Sequence, residues 1–78
     1  MKKVKAYVIK YEPTNAFVLD MPEVGAMSVS LNETNLYSSA ESAIEATDYI
    51  NYLDDEEISV NDLAVYEVEI SLLNKINK

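Results

Sequence analysis

The chain contains no cysteine and no histidine, and its six basic residues are all lysines, so arginine is absent as well. Without cysteine there is no disulfide framework, and without thiolate or imidazole there is no structural zinc site and no serine or thiol triad. Without arginine there is no planar fork to grip a phosphate or carboxylate from two sides. The single glycine, Gly25, excludes the glycine-rich loops that cradle phosphates. No apolar run approaches the roughly 18 residues that a membrane span needs. The opening segment, MKKVKAYVIKY, has lysines but lacks the apolar stretch and small-residue cleavage site of a secretory leader, so cytoplasmic residence is the expectation.

What is present describes a small folded domain. At 78 residues the chain forms one domain, 1–78, that should bury only about 60 to 65% of the surface its unfolded form exposes. Apolar residues make up 49% of it, with six tyrosines and one phenylalanine, too rich a composition for a disordered tail despite a net charge of -8. With neither disulfide nor zinc to supplement a thin core, dimerisation is the remaining route to added stability. The lysines stand near the two ends, at Lys2, Lys3, Lys5, Lys10, Lys75 and Lys78, whereas all fourteen acids lie between Glu12 and Glu69. Such a field repels nucleic acid and anionic membranes, because a phosphate backbone needs cations to displace its counterions. The same charge also serves solubility.

Residues 3–11, KVKAYVIKY, are rich in β-branched and aromatic types and stop at a Glu-Pro-Thr-Asn turn signal, which predicts a first strand. A second strand is expected over 15–21, closed by Pro22, and a third in AMSVSLN, where Met27, Val29 and Leu31 alternate with Ser28, Ser30 and Asn32. Ser38 stands three residues before Glu41, the spacing of a capping box, and predicts a helix over about 39–53. Its apolar face should carry Ala40, Ala43, Ile44, Thr47 and Ile50, flanked by Ala46 and Leu53, with Glu41, Glu45, Asp48 and Tyr52 opposite. A last strand, in DLAVYEVEISLL, should set Ala64, Tyr66, Val68, Ile70 and Leu72 on one face and Glu67, Glu69 and Ser71 on the other, and is expected at the centre of the sheet. Paired with the first strand, it would let Lys5 and Lys10 face Glu67 and Glu69, at about 0.2 to 1 kcal/mol per pair. The expected class is therefore α+β: an antiparallel sheet of three to four strands, ordered strand, strand, strand, helix, strand, with the helix on one face.

One helix covers one face, so a sheet surface stays open. On the first strand Tyr7, Ile9 and Tyr11 alternate with Val4, Ala6 and Val8, and the aromatic set is a candidate contact surface for a second copy or another protein, or else a second small core. The other candidate is acidic. Asp54, Asp55, Glu56 and Glu57 stand side by side just past the helix that carries Glu41, Glu45 and Asp48, with Tyr52 among them. A calcium loop of the EF-hand type needs glycine at its sixth position and glutamate at its twelfth; counted from Asp54 these are Ser59 and Val65, leaving only weak cation binding as an alternative. Nor do adjacent acids without an apolar pocket separate their pKa values for acid and base work, so the chain reads as a non-enzyme without cofactor or metal. The two readings left for the acids are a solvated connection and a surface that imitates a phosphate backbone and occupies the basic groove of a nucleic-acid-binding protein.

The segments LYSSAESAIEA and LAVYEVEI resemble those of the small accessory proteins that tailed bacteriophages encode, in which a serine-capped turn leads into one helix and a strand ending VYEVE completes the sheet. The likeness spans residues 36–70 and is one of pattern, so no functional residue is carried over. It implies a role in the host cytoplasm: binding and inhibiting or diverting a host protein, such as a defence nuclease or a regulator. The expected function is thus a protein-binding module acting through Glu41, Glu45, Asp48, Tyr52, Asp54, Asp55, Glu56 and Glu57, with Tyr7, Ile9 and Tyr11 as a second surface. A homo-oligomeric structural subunit using the open sheet face is one alternative, and a weak calcium or small-ligand binding domain is the other.

Overall fold

The alternating β-branched and aromatic residues Lys3–Tyr11 form β1, as their spacing predicts. The structure is a computed structural model and describes residues 3–76; Lys2 and Lys78 lie outside it. Pro13 sets a 3-10 turn, Glu12–Thr14, which closes on Asn15 at φ 58°, a left-handed state that asparagine tolerates. β2 (Ala16–Met21) and β3 (Gly25–Val29) follow as an antiparallel hairpin. Gly25 opens β3 at φ 107°, a backbone state that side chains rarely adopt. After a 3-10 turn, Leu31–Glu33, come α1 (Ala40–Thr47), the short strands β4 (Tyr52–Leu53) and β5 (Glu56–Glu57), and β6 (Leu63–Ser71).

The four long strands form an antiparallel sheet in the order β3-β2-β1-β6, and β4 and β5 form a separate small one. The fold is α+β in the expected order, with the small hairpin as an addition. β6 is an edge strand rather than a central one. The centre belongs to β1, which pairs with β6 along its whole length, from Lys3↔Ser71 to Tyr11↔Leu63, and with β2 on its other side. The β1–β2 pairing covers only Lys10↔Phe17 and Tyr11↔Ala16, after which the two strands part. Residues 34–37 fill the opening. The Thr34 hydroxyl donates to the Val18 carbonyl at 2.6 Å, the Asp20 N–H donates to Asn35 Oδ1 at 2.7 Å, and Tyr37 exchanges both backbone hydrogen bonds with Tyr7. Thr34 is buried there, and its hydroxyl replaces the strand neighbour that Val18 lacks.

The core lies between the sheet and α1. Ile9 and Val18 from the sheet meet Ala43, Ile50 and Leu53, with Tyr7, Tyr11, Tyr37, Leu63 and Val65 around them. The helix therefore covers the Tyr7, Ile9 and Tyr11 face of β1. Ile9 is only 1% exposed, so this set is core and not the open surface that its aromatic character suggested. The open face is the other one, carrying Val4, Ala6 and Val8, together with Phe17, Leu19, Met27 and Val29 and with Tyr66, Val68 and Ile70 by register. Its centre is closed by its own neighbours, Val8 being fully buried, while Val4, Tyr66 and Ile70 at the β6 side remain exposed.

The lysine pairing is also shifted. Lys5 reaches Glu67 at 3.7 Å and Lys3 reaches Glu69 at 3.6 Å, both diagonal to the register, whereas Lys10 turns to Glu12 at 3.9 Å and lies 5.1 Å from the Tyr66 ring centre. Lys10 points to the open face while Glu67 and Glu69 are on the helix side, so the expected pairing of Lys10 with a β6 glutamate is sterically closed. No described helix is long and apolar enough to cross a membrane.

Candidate functional site

The acidic surface is built on α1 and on the β4–β5 hairpin. Ser39, extended at φ -141°, caps α1: its hydroxyl oxygen accepts from the Ser42 N–H at 3.1 Å, and the Ser42 hydroxyl donates to the Ser39 carbonyl at 3.0 Å. The cap is one residue later than the Ser38 and Glu41 spacing predicts, which frees Glu41 to face solvent from the first turn, where its charge complements the helix dipole.

The helix stops at Thr47, six residues before the expected end at Leu53. Its last turn tightens into bonds three residues long, from the N–H groups of Asp48, Tyr49 and Ile50 to the carbonyls of Glu45, Ala46 and Thr47, and the Thr47 hydroxyl donates to the Ile44 carbonyl at 2.6 Å. Asp48 puts a negative charge at the negative end of the dipole, and the last turn has no basic residue to offset it. Ile50 and Leu53 reach the core from the turn after the helix and from β4 instead. Ile44, assigned by spacing to the apolar face, is 55% exposed, because Ala43 and Thr47 define the contact stripe of so short a helix.

Beyond the helix the four adjacent acids are not a loose loop. Asp54 and Asp55 both have positive φ, 53° and 66°, the conformation of a type I′ turn, and link β4 to β5 in a two-residue hairpin. The hairpin is fixed at three points. Asp54 N–H donates to the Ala26 carbonyl at 3.1 Å and Ile58 N–H to the Asn51 carbonyl at 2.9 Å, while the Asp54 carboxylate accepts from both the N–H and the hydroxyl of Ser28. The Ser28 hydroxyl, and secondarily its N–H, hold the Asp54 carboxyl below the usual aspartate range. Asp54 is thereby turned back to β3, on the polar side of the alternation that had marked Ser28 as solvent-facing.

This leaves two groups of carboxylates with no lysine partner among the described residues: Glu41, Glu45 and Asp48 on the helix, and Asp55, Glu56 and Glu57 on the hairpin, all exposed. Tyr52 stands opposite Glu57 in the hairpin and is exposed beside it. Tyr49, in the turn between the two groups, is 77% exposed and belongs to the same surface. Sequence reasoning passed over Tyr49 because it lay inside the expected helix. Its position in the string DYINY, between two acids' worth of turn and hairpin, is the signal that marks it. Tyr49 and Tyr52 border a shallow groove of ≈ 210 Å³ shared with Asp20 and Gly25.

Neither group converges. Among the described residues no three acidic side chains approach closely enough to hold a metal ion together. The best-formed concavities hold ≈ 210 to ≈ 290 Å³, below the roughly 300 Å³ from which small-molecule sites begin. Two tyrosines have altered ionisation away from this surface. Burial, then the charge of Asp20, pushes the Tyr37 phenol up; the hydrogen bond that Tyr66 donates to Glu12 at 2.7 Å, then burial and the Glu12 charge, push Tyr66 up. Both shifts favour the neutral phenol, and Tyr66 uses its proton as a donor to Glu12.

Electrostatically the molecule is divided. Every lysine–carboxylate pair among the described residues is on the sheet or the turn after β1: Lys3 with Glu69, Lys5 with Glu67, Lys10 with Glu12. None involves α1 or the hairpin. Comparison with known proteins finds no matching family model, no matching curated protein and no matching solved structure.

Proposed function

We propose that the chain is a non-enzymatic protein-binding module that presents α1 and the β4–β5 hairpin to a basic surface on another protein. The observation that carries this reading is the separation of charge. Lys3, Lys5 and Lys10 pair with Glu69, Glu67 and Glu12, so Glu41, Glu45, Asp48, Asp55, Glu56 and Glu57 stand without a lysine partner among the described residues. Held on a capped helix and a tight hairpin, these acids form a rigid negative surface, with Tyr49 and Tyr52 as aromatic anchors of the type enriched where proteins bind. A field of one sign steers an oppositely charged partner and repels nucleic acid. A basic nucleic-acid-binding groove is the complementary partner.

The resemblance to phage accessory proteins supports the same reading and sets it in a host cytoplasm, where the module inhibits or diverts a host nuclease or regulator. The test is capture from bacterial lysate with the wild type and with Glu45, Asp48, Asp55 and Glu57 changed to their amides, in low and high salt and with competing DNA. The partner should be lost in the amide variant, released by salt and displaced by DNA. The same partner captured equally by the variant would exclude the acidic surface.

A further inference from the structure

β6 ends the sheet, and its free backbone groups are identifiable. Tyr7 gives both its N–H and its C=O to Tyr37, so Tyr7 and Glu67 face each other as a non-hydrogen-bonded pair. Alternation then points the N–H and C=O groups of Leu63, Val65, Glu67, Glu69 and Ser71 outward from the sheet. Natural edge strands are kept from pairing by brevity, proline, charged side chains, a bulge or a covering segment. β6 runs nine residues in unbroken register with β1 and contains neither proline nor lysine, and its two charges, Glu67 and Glu69, are each paired with a β1 lysine.

The occupant such an edge fits is a strand, and the local charge selects which one. Glu67 and Glu69 are held by Lys5 and Lys3, so this edge is electrically balanced in a chain of net charge -8. It is where a second copy can approach without meeting an uncompensated acidic surface. We propose that β6 pairs antiparallel with β6 of a second copy, extending the four-stranded sheet across a two-fold axis.

The register follows from the same residues. Outward groups must meet outward groups, so only shifts that set odd-numbered residues opposite one another hydrogen-bond. Full overlap puts Glu67 against Glu67, and sliding toward the C-terminus puts Glu67 against Glu69; like charges directly opposite destabilise a sheet. Sliding the other way sets Val65 against Glu67 and Leu63 against Glu69. Tyr66 then faces Tyr66 on the axis, in a non-hydrogen-bonded pair where side chains come closest. This register also brings Leu72, 81% exposed, toward the exposed Val60 of the second copy, two apolar side chains that the isolated chain leaves in water.

Sedimentation of the wild-type chain over a range of concentrations, with single-cysteine variants in this otherwise cysteine-free sequence, tests the pairing. The wild type should dimerise, and more strongly as salt screens the repulsion between copies. Tyr66→Cys should oxidise to a disulfide-linked dimer while Val68→Cys, displaced from the axis, stays monomeric on the gel. Glu67→Pro removes an outward N–H, at a position where an edge strand tolerates proline, and should sediment as a monomer with an unchanged circular dichroism spectrum. A wild type that remains monomeric at every concentration would overturn the proposal. So would a dimer in which Val68→Cys crosslinks in preference to Tyr66→Cys.

Discussion

Tyr7 and Tyr37 exchange both of their backbone hydrogen bonds, at 2.9 and 2.8 Å, although Tyr37 belongs to none of the strands. This single bridge stitches residues 34–37 into the space between β1 and β2, directs the chain from β3 to the helix side, and leaves the alternate groups of β6 facing outward.

Thr34 fills the gap chemically as well as sterically, since its hydroxyl is the donor to the Val18 carbonyl. Thr34→Val keeps the shape and removes the donor, leaving a buried carbonyl unpaired, and should cost about 1 to 3 kcal/mol in urea unfolding. Thr34→Ser keeps the donor and should recover most of that loss.

Ile9 and Ile44 should behave oppositely. Ile9→Ala opens a cavity in the core under α1 and should cost about 2 to 5 kcal/mol. Ile44→Ala removes a side chain that is already largely in water and should fall within about 0.5 kcal/mol of wild type. Chemical denaturation of the two variants checks which residues α1 buries.

The cap position is tested by neighbouring serines. Ser39→Ala should destabilise by about 1 kcal/mol, because the Ser42 N–H loses its acceptor. Ser38→Ala should leave the melting temperature unchanged.

Asp54 makes stability depend on acid. Its folded pKa is depressed by Ser28, so its contribution is fully present above the ordinary aspartate value of about 3.9 and is lost as pH falls through the lower folded value. Asp54→Asn should therefore melt below wild type at neutral pH, and the two curves should converge below about pH 3.9. Melting temperatures measured across that range check the sign.

Much of the fold was legible in local patterns. β1 was readable from its composition to the residue, β2 from the strand-like run that Pro22 closes, and β3 and β6 from period-two alternation. The helix was readable in kind and mistaken in length. Its apolar positions at Ala43, Thr47 and Ile50 continue at helical spacing into chain that is no longer helical, because Ile50 and Leu53 satisfy the same core from a turn and a strand. The acids of the candidate site were visible as a run, but the type I′ turn was not, because aspartate is a less frequent occupant of left-handed positions than glycine or asparagine.

Composition and spacing by themselves determined the α+β class, the four long strands, the presence of one helix before the last of them and the exclusion of chemistries that need histidine, cysteine or arginine. These follow from backbone geometry and side-chain inventory, which act over a few residues at a time. Which face of β1 the helix covers, which strand is the edge, and which acid is turned back to the sheet were decided only in three dimensions. Alternation defines two faces without saying which is covered, since Tyr7, Ile9 and Tyr11 and Val4, Ala6 and Val8 are both apolar enough to be buried. The choice rests on contacts between distant residues, such as Tyr7 with Tyr37 and Ser28 with Asp54, that no local period encodes.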